Sequence, residues 1–138
     1  MKDFIVLMGI LPLLLVFIFQ FACDYRGFEE VQAVEHIVYE AREKARQEGG
    51  FGDGTVAEIR RDIAEHLGVS QDEVQVQVSA KAGTVGRFDD ERLIRYQIRV
   101  EVPGAMAGGG LFGIKPEDNK KLITFDGFVA SEYVGGYQ

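Results

Sequence analysis

Hydrophobic positions change their spacing twice along the chain, and each change marks a different structural element. Residues 4–22 are almost continuously apolar, with Gln20 as the one polar side chain and no charged residue. At about 1.5 Å per residue, a helix of this length spans roughly 30 Å, the thickness of the hydrocarbon core of a bilayer. Such a helix is apolar on all sides, so no single face is suited to a soluble core. The sequence therefore predicts a segment that lies in lipid or packs against other copies of itself.

Three other interpretations of this segment stay open at the level of the sequence. One is a plain single-span membrane anchor. A second is a cleaved secretory signal, although such signals have a shorter apolar region, and Gln20 and Phe21 are poor residues before a lipoprotein cleavage site at Cys23. The third is a buried helix of a soluble domain, which is disfavoured because the remaining chain is too short to wrap a helix this long.

A proline interrupts the apolar segment. Pro12 lacks the N–H group that completes a helical hydrogen bond, and its ring clashes with the preceding turn. We therefore expect a kink or a local loosening of the helix near residues 8–12. In lipid, such a break is tolerated where neighbouring groups satisfy the freed carbonyl.

The helical pattern continues beyond the apolar segment, but its apolar face becomes narrower. Apolar side chains now recur every three or four residues, at Tyr25, Phe28, Val31, Val34, Val38, Ala41 and Ala45. On the opposite side, pairs such as Glu40 and Lys44 add a few tenths of a kcal/mol each to helix stability. Gly49 and Gly50 are typical stop residues. We predict one helix over about residues 3–48, apolar all round in its first half and on one side in its second half.

The rest of the chain predicts one more helix and a small sheet. After a glycine-rich loop over 49–54, Thr55 and Glu58 have the spacing of a capping box, which predicts a helix over about 55–67 that ends at Gly68. The period then becomes two, which is typical of strands with one buried face. The predicted strands are 74–79, 93–102 and 122–134, the third with a break at Gly127. The long connection 105–121 separates the last two.

These elements define the fold class and the domain organisation. The apolar stripe over residues 25–45 and the second helix should cover the apolar face of the sheet. The predicted fold is α+β: a long N-terminal hydrophobic-to-amphipathic helix packed on a small antiparallel sheet with one further helix. Residues 1–24 form a transmembrane or filament-core segment, and residues 25–138 form a globular head that includes the upper half of the helix.

Composition and charge reduce the number of plausible functions. The chain has 15 Lys and Arg against 22 Asp and Glu, a formal net charge of −7, which argues against nucleic-acid binding. The single cysteine, Cys23, excludes an intrachain disulfide and a four-cysteine metal or cluster site. His36 and His66 fall on separate helices, and the acidic runs 89–91 and 117–119 do not fit an EF-hand loop. We therefore expect no enzyme activity, no cofactor and no metal site.

The architecture and three stretches of sequence resemble a known family. The stretches are Gly9–Val16, Val34–Arg46 and Val129–Glu132. Together with the apolar-to-amphipathic helix and the small sheet domain, they resemble the type IV pilin superfamily, and most closely the tight-adherence (TadE-like) pilins of bacteria. The resemblance implies a structural subunit of an extracellular filament. It would be held in the cell membrane before assembly and polymerise through its N-terminal helix.

The same resemblance implies partners and assembly residues. The partners are other copies of the chain, a pilus assembly machinery and a prepilin peptidase; with Met1 at the first position, either the chain is already mature or this cleavage does not occur. In that family, an acid near the mature N-terminus guides assembly. The usual fifth position is Ile5 here, so Asp3 would substitute. The expected assembly residues are Asp3, Phe4, Leu7, Leu11, Pro12, Leu14, Phe17 and Phe21.

Two alternative functions remain. One is a monomeric, single-span anchored binding or adaptor domain at the cell surface. The other is a minor pilin that primes or tips a filament.

Overall fold

The predicted long helix is present and continuous. In the computed structural model, which describes residues 1–104 and 109–134, α1 spans Lys2–Glu48. Helical conformation continues through Pro12, so the expected loosening near residues 8–12 does not interrupt the helix. The helix ends at Gly49, which has a left-handed backbone (φ 70°) and whose N–H donates to the Ala45 carbonyl. The glycine stop signal is therefore confirmed.

The second helix, α2 (Asp53–Leu67), begins two residues before the predicted start, and the predicted capping box is wrong. Gly52 is its N-cap, with extended backbone (φ −66°, ψ 150°) and no side-chain cap hydrogen bond. The reason lies just upstream, where the Phe51 N–H donates to the Ala80 carbonyl at 3.0 Å and fixes the direction in which the chain enters the helix. Thr55 consequently falls inside the first turn, where it is buried.

A capping box does occur, but it lies further along the chain. The Ser70 side chain accepts from the Glu73 backbone N–H, and the Glu73 side chain accepts from the Ser70 N–H at 3.1 Å. These two residues close a short 3-10 turn, Gln71–Glu73, which leads directly into the first strand. The turn thus joins α2 to the sheet without a long loop.

Three antiparallel strands form the predicted sheet in the order β1 (Val74–Val78), β2 (Leu93–Pro103) and β3 (Lys120–Ala130). The central strand β2 pairs with both neighbours. The third strand begins two residues earlier and ends four residues earlier than predicted. It is not broken at Gly127, which pairs with Tyr96 of β2.

Gly127 is required by packing rather than by a break in the strand. A Cβ added there would lie 2.7 Å from the Tyr96 hydroxyl oxygen, because the buried Tyr96 ring crosses over the glycine. The same ring packs against Phe51, with centroids 5.9 Å apart, and the Arg42 guanidinium lies 5.7 Å from its centroid. Tyr96 therefore joins the sheet to α1 and to the loop that follows α1.

The core confirms the α+β arrangement but not the full length of the predicted stripe. Alternate residues of β2 are buried and pack with residues of α2 and with Val34, Val38, Ala41 and Ala45 of α1. The lower stripe residues Tyr25 and Phe28 remain 65% and 61% exposed. The sheet does not extend far enough along α1 to bury them, so α1 contributes buried core residues only from Val34 upward.

The sheet is fastened to the upper end of α1. The Glu132 N–H donates to the Arg46 carbonyl and the Ser131 N–H to the Arg92 carbonyl, both at 2.8 Å. Ser131 is buried, and its hydroxyl donates to the Val85 carbonyl at 2.7 Å. A Cβ at Gly50 (φ 149°) would lie 1.9 Å from the Lys81 carbonyl oxygen. The chain after α1 thus contacts the β1–β2 connection too closely to admit any other residue type.

Candidate assembly helix

The residues predicted to drive assembly all lie on the uncovered half of α1. Every residue from 1 to 19 is exposed, and none of the apolar window that could span a membrane is buried inside the molecule. Exposure of its large apolar side chains ranges from 42% at Val16 to 74% at Phe21. A single chain in water would leave this whole surface in contact with solvent, which is unfavourable by about 25 cal/mol per Å².

The predicted assembly residues follow one side of the helix. Phe4, Leu7, Leu11, Leu14, Phe17 and Phe21 are spaced by three or four positions, and such residues are neighbours on a helical surface. The other side is also apolar and exposed, with Ile5, Leu13 and Val16 among its residues. The geometry therefore places all six residues on an accessible surface but does not single them out from their neighbours.

Asp3 lies in the first turn of α1. The unpaired N–H groups at a helix N-terminus carry a partial positive charge, which favours a carboxylate in this turn. The first intrahelical bond runs from the Ile5 N–H to the Met1 carbonyl at 3.2 Å, so the N–H groups before Ile5 have no acceptor within the helix. The position of Asp3 suits an acid that interacts with a positive charge at the end of a neighbouring helix, but the fold by itself does not require that contact.

Two glycines leave room on the surface of α1 for a close neighbour. A Cβ added at Gly9 or Gly27 would meet no atom within 4 Å outside the backbone of its own helix. The two lie about five turns apart and so on the same side of the helix. Small residues at exposed helix positions permit close approach of another helix in a membrane.

Comparison with known proteins gives no relative. No protein-family model, curated protein or solved structure matches the chain. The function is therefore argued from the geometry of the helix and head, together with the residue pattern described above.

A cleft of about 630 Å³ separates the lower part of the head from α1, and sequence reasoning missed it. Its walls include Cys23, Gly27 and Phe28 on the helix and Gly104 and Lys121 at the end of the sheet. The cleft lies directly beyond the apolar segment, so it marks the level at which the head begins. The cleft forms between α1 and the ends of strands that are distant from it in the sequence, so no local sequence signal predicts it.

A second missed feature lies in the β2–β3 connection, predicted as a long loop over 105–121. Residues 105–108 lie outside the described residues. The following residues form a 3-10 turn, Gly109–Phe112, in which Leu111 and Phe112 are 87% and 62% exposed. The sequence signal was present, since two large apolar side chains stand between Gly110 and Gly113 in this connection.

Ionic groups of the head serve its structure. Arg46 donates to the Glu132 carboxylate and pairs with Glu43 at 3.6 Å. The hydrogen bond from Arg46 lowers the pKa of Glu132, with a further contribution from the charge of Arg87. The pKa of Glu73 is also lowered, chiefly by the Ser70 backbone N–H and then by the charge of Lys120. These carboxylates fasten turns and strand ends.

Residues of the acidic runs 89–91 and 117–119 make local contacts. Within residues 1–104 and 109–134, no group of three or more His, Cys, Asp or Glu side chains is arranged to hold a metal ion. Asp89 instead accepts from the Gly86 N–H within a turn, and Glu117 pairs with Lys115 at 3.7 Å. His36 lies beside Glu40 at 3.6 Å on the solvent side of α1.

Proposed function

We propose that the protein is a structural subunit of an extracellular filament of the type IV pilus kind, held in the cell membrane by its N-terminal helix until it is assembled. The observation that carries the proposal is the lower half of α1, which is apolar on every side and is not buried by any of residues 1–104 and 109–134. The covered upper half belongs to a small, well-packed head. This division gives each subunit one surface for burial among copies and another for the filament exterior.

The energetics favour a filament that is difficult to dissociate in water. Burying one Leu, Ile or Phe side chain stabilises an assembly by roughly 1.5–3 kcal/mol relative to exposure to water. Transfer from lipid brings no such gain, because lipid tails are as apolar as leucine, and helices there associate through close packing. Extraction from the membrane would therefore need external work by an assembly machinery, and a prepilin peptidase is a further proposed partner.

Electron microscopy of material sheared from cells that express the protein tests the proposal. Thin filaments with a helical core and small outer heads are expected. A triple variant, Leu7→Ala, Leu11→Ala and Leu14→Ala, keeps the segment apolar and hence membrane-inserted, while it removes large side chains from the predicted assembly side. We expect filament yield to fall strongly while the amount of subunit in the membrane is unchanged.

A matched triple variant on the other side of the helix, Ile5→Ala, Leu13→Ala and Val16→Ala, serves as the control and should reduce filament yield less. Asp3→Asn tests the acid separately, and an unchanged yield would exclude its role in assembly. If the unaltered protein stays in the membrane fraction as a monomer and forms no filaments under any assembly condition, the filament proposal is wrong. The single-span anchored binding domain would then be preferred.

A further inference from the structure

We propose that the turn Gly109–Phe112 is a second membrane contact, in which Leu111 and Phe112 insert into the lipid interface beside the spanning helix. This inference rests on one part of the proposed function, namely that residues 4–22 lie in a bilayer before assembly. It concerns the head rather than the helix and assigns a lipid surface as the ligand of an exposed apolar turn.

The two ends of β2 lie beside different parts of α1. The upper end of β2 lies near the end of α1, because the Ser131 N–H donates to the Arg92 carbonyl while the Glu132 N–H donates to the Arg46 carbonyl. The lower end of β2 lies across the cleft from Cys23 and Gly27, since Pro103 and Gly104 form the opposite wall. β2 thus runs from the top of the head down toward the apolar half of α1.

The position of the turn follows from this direction. The chain leaves β2 at Gly104, whose N–H donates to the Asn119 carbonyl at 2.7 Å and closes the base of the β2–β3 connection. Gly109 is buried against the Asn119 side chain, and its carbonyl accepts from the Ile114 N–H at 3.0 Å. The turn is therefore held against the lower edge of the sheet, at the end of the head that faces the apolar segment.

The lower edge of the sheet lies at the depth of the lipid headgroup layer when residues 4–22 span a bilayer. Gly27 lies about 8 Å along the helix axis from Ala22, the last residue of the apolar segment. The headgroup layer extends about 5–8 Å beyond the hydrocarbon core on each side of a bilayer. The lower edge of the head thus lies at the level of this layer, next to the acyl boundary.

The side chains have the chemistry of an interfacial contact. Leu111 and Phe112 are among the exposed large apolar residues of the head, and adjacent apolar and aromatic residues are what peripheral segments insert at the headgroup boundary. Lys121 lines the cleft at the same level, and a lysine there can keep its stem along apolar surface while its ammonium group meets phosphates. A second copy of the chain is the other conceivable cover, and the experiment separates the two.

The test uses full-length protein in which Cys23→Ser leaves no native cysteine. Single cysteines replace Leu111, Phe17 or Phe88 and carry an environment-sensitive fluorophore. The labelled proteins are reconstituted into vesicles of phosphatidylcholine and phosphatidylglycerol without a quencher, with a lipid-attached quencher at shallow depth, or with one placed deeper in the acyl chains. Phe17 reports the span, and Phe88 reports the upper end of the head, where the Arg87 N–H donates to the Tyr133 carbonyl.

We expect the probe at position 111 to show blue-shifted emission and to lose most of its intensity to the lipid quencher, as the probe at 17 does under a deeper quencher. The probe at 88 should be unaffected. With the probe at 111, Phe112→Ser should restore emission, whereas the control Phe128→Ser, which removes an equally exposed ring (64%) from the strand β3, should not.

Other outcomes contradict the inference in distinguishable ways. A quenched probe at 17 with a water-exposed probe at 111 shows that the helix is anchored and the turn is not inserted, which leaves the filament proposal intact. A probe at 111 that is shielded from water but insensitive to the lipid quencher indicates cover by a second copy. A water-exposed probe at 17 contradicts both the inserted turn and the membrane stage of the proposed function.

Discussion

The two halves of α1 have the same backbone and opposite environments. In the lower half, apolar side chains surround the helix, and none in the membrane-length window is buried by the part of the chain that the structure describes. In the upper half, one apolar face is buried under the head, with Val34 and Ala45 almost inaccessible to solvent. Regular helical geometry therefore says nothing about where a helix finds its partners. The number of apolar faces indicates this instead. A helix with one apolar face can bury it within its own chain, whereas a helix that is apolar on all sides needs lipid or other chains around it.

The largest expected effect on stability comes from a substitution at the junction between the end of α1 and the rest of the head. Gly50→Ala should destabilise the head by about 3 kcal/mol or more, because the new Cβ would overlap the Lys81 carbonyl at a backbone angle that alanine rarely adopts. Thermal unfolding in detergent, followed by near-ultraviolet circular dichroism, measures the loss.

The control for this substitution is Gly54→Ala, because an added Cβ there meets nothing within 4 Å and the residue lies in α2. It should leave stability unchanged or raise it slightly. Equal melting temperatures for the two variants would show that the fastening of the upper end contributes little.

A pair of truncations on the same helix compares its halves directly. Val34→Ala removes two buried carbons and should lower the free energy of unfolding of the head by about 2 kcal/mol. Phe17→Ala removes a larger side chain but should leave that free energy unchanged, since Phe17 is 64% exposed and lies in the apolar half of α1, outside the core of the head. Chemical denaturation of both variants in the same detergent gives the two values. A destabilised head in Phe17→Ala would contradict the separation of the two halves.

The smallest expected effect is the acid sensitivity of the head. The pKa values of Glu132 and Glu73 are lowered in the folded state, so their contributions are present above the unfolded pKa of about 4.3 and are lost as the pH falls through the lower folded values. Melting temperature should therefore decline below about pH 4.

Glu132→Gln should reduce this decline, because it removes one of the two titrating groups. The matched control is Glu117→Gln, in an exposed loop of the head. A decline of the same size in all three proteins would assign the acid sensitivity to other carboxylates. Residues 4–22 carry no charged side chain, so this segment of α1 supplies no titrating side chain to the comparison.

Sequence periodicity predicted the elements of this fold well because each has a clear hydrophobic pattern. The change from a segment that is apolar on all sides to one with a single apolar stripe identified α1, and the alternation of apolar and polar residues identified the strands. Prediction failed where contacts distant in sequence decide local structure. Thr55 lost its capping role because Phe51 first pairs with the β1–β2 connection, and Gly127 marks the passage of the Tyr96 ring rather than the end of a strand. The assembly residues could be placed on an exposed surface, but which side meets a neighbour depends on other chains.

The attachment of the head at the upper end of α1 has a mechanical consequence. A pull along α1 reaches the head through Arg46 and the turn after Glu48, at the end of the head from which β2 runs toward the apolar half of α1. Hydrogen bonds between antiparallel strands lie perpendicular to that direction. Tension therefore loads many of these bonds at once in shear rather than opening them one after another, so the head is built to withstand traction transmitted through the helix.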